Sequence, residues 1–275
     1  MLGNERICMR QSHDISGMLR EWPFDPTNVT ARFVDRESDG LPEVQLRLDL
    51  GVLQMQLDGR PDGCRPYDQE TVYTHYRRKM LTDRRAGPKL DADACAELQQ
   101  ECVQFYYRYL ALMVLKDYPR VLRDTAHSLS IFGLVEKYAE SEELIWEFIQ
   151  FKPYVIMMQA RAHAEALAAE GRVDEAVEKI EAAMIDIQEF LDSLEDEDGP
   201  VSEECVELHL LAELIQDLRE TRLEENPVVK MRQKLHYAIH SENYEEAARL
   251  RDRIRDLERD TAPANSRPQV SNCSS

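Results

Sequence analysis

No stretch of this 275-residue chain is apolar for long enough to cross a bilayer. Its longest apolar runs, Tyr109 to Leu115 and Tyr154 to Met158, fall far short of the roughly 20 residues a membrane helix needs. The opening MLGNERICMRQ has no apolar region of the secretory kind, so a cytoplasmic protein with no membrane partner is expected. Cysteine is thinly spread as well. Cys8, Cys64, Cys95, Cys102, Cys205 and Cys273 include no Cys-x-x-Cys pair, and no histidine is spaced to complete a zinc site. No metal and no cofactor are therefore expected. Also missing are the spacing of a P-loop, a Rossmann fingerprint and any diagnostic pairing of nucleophile and base. Among 53 acidic side chains some carboxylates fall together by accident, so proximity in sequence alone gives no catalytic residue.

Positive charge is in short supply, and unevenly so. The chain has 34 Lys and Arg against 53 Asp and Glu, a net charge of −19. Residues 1–90 carry 14 basic and 14 acidic side chains, residues 91–225 carry 11 and 32, and residues 226–260 carry 8 and 7. The acidity, −21, thus sits in the middle of the chain. Duplex DNA binding needs several Lys or Arg contacts to phosphate, and an acidic body opposes them. Direct duplex DNA binding is not expected.

What is present is enough apolar residue, 43%, for a real core. The pattern predicts an α+β, mostly α chain: a small N-terminal antiparallel β-meander, an antiparallel helical array and a C-terminal helical hairpin. Asn28 to Asp35, Glu43 to Leu50 and Val52 to Leu57 are strand-like, with Val44, Leu46, Leu48 and Leu50 alternating against Gln45, Arg47 and Asp49. Asp39-Gly40 and Gly51 supply the turns. Ahead of them, a short helix over Asp14 to Glu21 leads into Trp22-Pro23-Phe24-Asp25-Pro26, read as a packed, rigid loop. After them, Asp58-Gly59-Arg60-Pro61-Asp62-Gly63 places two Asp/Gly pairs around an arginine. Such a loop suits an anion- or peptide-binding site, with Asp58, Gly59, Arg60, Asp62 and Gly63 as its ligand residues, or a tight turn leaving the sheet.

From Asp91 the periodicity becomes helical. Helices are expected over Asp91 to Lys116, Pro119 to Ala139, Ser141 to Ala169, Asp174 to Leu194 and Ser202 to Glu224, with Pro153 kinking or dividing the third. Cys95 and Cys102, two turns apart, are expected on one buried face. The aromatics Phe105, Tyr106, Tyr107, Tyr109, Trp146, Phe148, Phe151 and Tyr154 are core candidates, with a peptide groove as the alternative. The set Ala164, Leu167, Gly171, Asp174, Glu175, Ala176, Ile180 and Ala183 resembles a single tetratricopeptide helix pair. Glu195 to Pro200 reads as a solvated connector, and Thr261 to Ser275 as a disordered tail. These signals divide the chain into residues 1–90, 91–225, 226–260 and 261–275.

The third of these segments carries the strongest motif. Asn226-Pro227 is a helix start, and Val228, Met231, Leu235, Ala238 and Ile239 form one apolar stripe. Ser241, Glu242 and Asn243 interrupt it. Tyr244, Ala247, Ala248, Leu250, Arg251, Ile254 and Leu257 then mark a second helix, with the paired alanines expected in the seam beneath the Tyr244 ring. His236 and His240, four residues apart, have metal-compatible spacing but no third ligand nearby, so a surface pair is the preferred reading. A hairpin of about 35 residues is too small to fold unaided and should pack on the chain or on another hairpin.

The run KLHYAIHSENYEEAARLRDRIRDLE resembles the UVR motif shared by the UvrB and UvrC subunits of bacterial nucleotide excision repair. Tyr244, Glu245, Glu246, Ala247, Ala248, Leu250, Arg251, Asp252 and Ile254 carry the match. The resemblance implies a helical hairpin that binds another such hairpin, with Leu235, Ile239, Tyr244, Ala247, Ala248, Arg251, Asp252 and Ile254 at the contact. It also implies wider contexts, since the motif occurs in activators of protein arginine kinases and in some Clp-type ATPases. The missing Cys-x-x-Cys modules depart from the kinase-activator pattern. The expectation is a non-enzymatic interaction or adaptor protein whose partner is another protein. For that partner the resemblance offers another UVR hairpin, of a second copy or of a UvrB- or UvrC-like protein, as one candidate. The alternatives are an accessory factor of excision repair and a regulator of a stress-response kinase or Clp-type protease.

Overall fold

The computed structural model describes residues 14–36, 39–82, 87, 89–194, 205–225, 227–241 and 243–260. The expectations for Asn226 as a cap, for Glu242, for the connector at 195–200 and for the tail at 261–275 lie outside them. The fold is α+β and mostly helical. A short helix α1 (Ser16–Glu21) precedes strands β1 (Ala31–Asp35), β2 (Pro42–Arg47) and β3 (Val52–Gln56). These form one antiparallel sheet in the order β1-β2-β3, with Ala31 opposite Leu46 and Glu43 opposite Gln56. The meander is therefore as the alternation predicts, with one correction. β2 ends at Arg47, and Leu50 is 86% exposed in the turn. The Arg47 guanidinium binds the carbonyls of Leu48 and Gly51, and its Nε donates to Trp22 O at 2.7 Å. The turn is thus closed from within, and the strand stops three residues before the apolar alternation ends at Leu50.

β2 is buried on both faces. Val44 and Leu46, with Met55 and Leu57, enter the same apolar core as Tyr109, Leu112 and Val121. Opposite them, Glu43, Gln45 and Arg47 are each under 9% exposed. Polar groups tolerate that burial because they bond one another. Arg32 Nε donates to Gln45 Oε1 at 2.8 Å, Gln45 Nε2 to Gln54 Oε1 at 2.7 Å, and the Gln54 amide to Glu43. The Trp22 ring lies 4.3 Å from the Arg32 guanidinium and covers one end of this ladder. The proline- and aromatic-rich loop departs from the packed loop its composition predicts, since Trp22 is half-buried but Pro23, Phe24 and Pro26 are exposed. Asp25 fixes its exit by accepting bonds from Thr27 and Asn28.

Helix α2 (Val72–Thr82) is an addition to the elements the sequence reading expects. Val72, Tyr76 and Met80, at four-residue steps, are all buried, and that stripe is the signal that marks it. α3 (Ala92–Val114) and α4 (Tyr118–Tyr138) start at Asp91 and Asp117, whose carboxylates cap Ala94 N and Arg120 N. The predicted third helix is two, α5 (Glu142–Ile149) and α6 (Lys152–Ala169), because Pro153 falls in the first turn of α6 where its missing N–H costs nothing. α7 (Val173–Asp192) packs antiparallel on α6 through Ala162, Ala164, Ala176, Ile180 and Ala183. Gly171, with φ +77°, ends α6: Arg172 N bonds Leu167 O and Gly171 N bonds Ala168 O, both at 2.9 Å. α8 (Val206–Glu225), α9 (Pro227–His240) and α10 (Tyr244–Asp260) complete the chain. Cys95 is buried and Cys102 packs against the same cluster, on the shared face their spacing predicts.

Candidate partner-binding hairpin

α9 and α10 pack along each other, and α9 also touches α8. The turn between them closes through Ser241 N to Tyr237 O and Asn243 N to Ala238 O, both 2.9 Å. Asn243 then caps α10, its Oδ1 accepting from Glu246 N at 3.3 Å. Ala238, Ala247 and Ile254 are buried, while Met231, Leu235, Leu250 and Leu257 are half-buried. Ala247, Leu250, Ile254 and Leu257 recur at three- and four-residue steps and hold the second helix against the first.

The seam differs from the expectation at one point. Ala247 is buried but Ala248 is exposed, and Tyr244 is 69% exposed rather than folded over the alanine pair. Helical geometry explains this. A step of about 100° per residue moves Ala248 off the seam and aligns it with Tyr244 and Arg251 at i, i+4 and i+7, all three exposed. On α9, Ile239 is 51% exposed and Tyr237 76%. Of the eight predicted contact residues, Leu235, Ala247 and Ile254 serve the hairpin's own seam. Ile239, Tyr244, Ala248 and Arg251 face outward. Asp252 is half-buried between Arg251 and Arg255, at 3.6 and 3.4 Å. The sequence reading missed Tyr237, the most exposed aromatic of the hairpin, because it lies off the apolar stripe. Together with Lys234, Asn243 and Glu246, Tyr237 lines a groove of about 510 Å³ beside the turn. The His236 and His240 rings stack at 4.4 Å, and among the described residues no group of three His, Cys, Asp or Glu is placed to hold a metal.

The loop at 58–63 lies against the helices. Gly59 and Gly63 have φ of +67° and +72°, and a Cβ at Gly63 would run into the Gln56 side chain. Every polar side chain of the loop is engaged with a neighbour. Asp58 accepts from Arg123 Nη1 at 2.8 Å. Arg60 pairs with Asp62 at 3.1 Å and reaches Glu101 at 4.0 Å, and Gln104 Nε2 donates to Asp62 at 3.0 Å. Arg108 Nη1 donates to Gly59 O and to Gln56 O at 2.8 and 2.9 Å. The geometry is that of a turn leaving the sheet, clasped by α3 and α4. Beneath it, the fully buried Glu101 accepts from Val72 N at 2.7 Å and Tyr73 N at 3.1 Å, capping α2, and lies 3.0 Å from His127 Nε2.

The aromatic candidates divide. Phe105, Tyr109 and Phe148 are core, whereas Trp146 and Phe151 are about half exposed. Burial, first of all, pushes the Tyr154 phenol up to about 12, so it stays neutral.

The fold and the hairpin together define a helical scaffold with a two-helix element at its C-terminal end. Residues 225–260, which span that element, match the family model described as UvrB/uvrC motif. No curated protein and no solved structure matches the chain. Among the described residues, no helix is long and apolar enough to cross a membrane.

Proposed function

We propose that this is a non-enzymatic interaction protein that docks a protein partner through the outward face of its UVR hairpin. The observation that carries the reading is the exposed row Tyr244, Ala248 and Arg251 on a helix whose other face is closed by Ala247 and Ile254. Exposed aromatics beside a small residue and a charge offer a contact that the chain's own core does not use. Among the described residues, the ion pairs of Arg249, Arg251 and Arg255 stay within α10. The motif match supports a second hairpin of the same kind as the partner, on this chain or on a UvrB- or UvrC-like protein.

Ala248→Asp in the full chain tests this, because it places a charge on the docking face and leaves the seam intact. Loss of a partner otherwise recovered by affinity purification, with an unchanged melting temperature, supports the reading. Recovery at wild-type yield refutes it. A role as accessory factor of excision repair rests on the motif match, and purified UvrB and UvrC test it directly: binding to either, abolished by Ala248→Asp, is the expected result. Regulation of a stress-response kinase or Clp-type protease is the third reading, and the same purification separates it by the partner found.

A further inference from the structure

A second surface lies away from the hairpin, where α3, α4, α5 and α6 meet. It is a pocket of about 400 Å³, within the range of ligand and anchor-residue sites. Six aromatic rings wall it: Tyr106 and Tyr109 from α3, Phe132 from α4, Phe148 from α5, Phe151 from the α5–α6 corner and Tyr154 from α6. Tyr109 and Phe148 form its floor at 2% and 1% exposure, while Val103 and Phe151 stand at its mouth at 47% and 53%. Large apolar side chains left half in water around a cavity mark a contact site.

Its charge says what kind of contact. Glu147 is the one charged residue in the lining, and no lysine or arginine takes part. Glu143 lies one turn before it on α5, and among the described residues neither carboxylate has a lysine or arginine within ion-pair distance. The faces of tyrosine and phenylalanine rings also attract cations. The sequence from 91 to 225, which includes all four helices of the pocket, carries −21, and a net charge of that sign draws a basic partner from a distance. The half-exposed Val103 and Phe151 carry the apolar surface out of the cavity onto its rim, where a partner segment covers more than one enclosed small molecule would.

We infer that this pocket docks a basic amphipathic segment of a partner protein, one large apolar side chain of the segment filling the aromatic walls while its lysines or arginines meet Glu143, Glu147 and the ring faces. This surface is separate from the hairpin and does not depend on the hairpin's role.

The experiment titrates the full chain with a synthetic Leu/Lys amphipathic peptide bearing one central Trp, and with its counterpart in which every Lys is Glu. The lysine peptide is expected to bind and the glutamate peptide not to. Val103→Glu is the decisive variant, because it makes the surface more acidic while spoiling the apolar mouth. Plain charge attraction would tighten binding; pocket docking should weaken it about tenfold, the scale of one lost apolar anchor. Phe151→Ala, which adds no charge, should weaken it similarly and serves if Val103→Glu fails to fold by circular dichroism. Ala248→Asp should leave this binding unchanged, so failure here and failure of the hairpin reading are told apart. Equal binding of both peptides, or tighter binding by Val103→Glu, overturns the inference. So does a self-association lost in Val103→Glu, which assigns the pocket to a second copy, or a small molecule released on denaturation and seen by mass spectrometry.

Discussion

Arg108 on α3 and Asp124 on α4, both shielded completely from solvent, hold each other through two hydrogen bonds, Nε to Oδ2 at 2.6 Å and Nη2 to Oδ1 at 2.9 Å. The remaining Arg108 nitrogen holds the carbonyls of Gln56 and Gly59, so one guanidinium ties sheet, loop and two helices together. Asp124→Asn is expected to leave the guanidinium buried without a counter-charge and to destabilise the fold by roughly 3 to 5 kcal/mol. Urea unfolding followed by circular dichroism measures it; a loss below about 1 kcal/mol, the level of an exposed pair, would show that water reaches the site.

Neighbouring alanines of α10 should behave in opposite ways. Ala247→Asp puts a carboxylate into the closed seam and should open the hairpin, speeding amide exchange across α9 and α10. Ala248→Asp should leave those amides protected. Hydrogen-exchange mass spectrometry distinguishes the two, and equal loosening would return Ala248 to the seam.

Asp25 gives a pH signature. Its carboxyl is held at about 2, below its ordinary 3.8, by the Thr27 hydroxyl first, then the Asn28 amide and the Thr27 N–H. A depressed carboxyl contributes stability above the unfolded value and loses that contribution as the pH falls toward 2. A carboxyl-detected NMR titration should place its midpoint near 2, and Thr27→Ala should move it up toward 3.8.

Thiol chemistry should separate the cysteines. Burial above all, then the charges of Asp91, Glu147 and Glu140, pushes the Cys95 thiol up to about 11, whereas Cys64 is exposed. At pH 8, alkylation of Cys95 should lag that of Cys64 by at least on the order of a hundredfold, since the thiolate is the reacting form. Peptide mapping gives the ratio; comparable rates would mean that the α2–α3 core opens readily.

Long periodic stretches made the helices legible, and Pro153 announced the break between α5 and α6 because proline leaves the backbone few choices. The short helix α2 escaped notice: Val72, Tyr76 and Met80 are only three marks, set among polar residues. The loop at 58–63 was legible as a turn with glycines at its corners. That its charges are consumed by Arg108, Arg123 and Gln104 was not, since those partners arrive from 42 to 65 positions away in the chain. The hairpin's existence was plain in its stripes, but Ala247 and Ala248 differ only by one step of rotation, which composition cannot resolve.

The inner face of the sheet has consequences for how the chain is made. Val44, Leu46, Met55 and Leu57 leave the ribosome well before the α3 and α4 residues that cover them, Tyr109, Leu112 and Val121. Synthesis runs from the N-terminus at about 5 to 20 residues per second, so for several seconds the three strands are out with nothing to lie against. The nascent meander has to wait for its cover, and a pause in translation between β3 and α4 would prolong the interval in which its apolar residues can meet those of another unfinished chain.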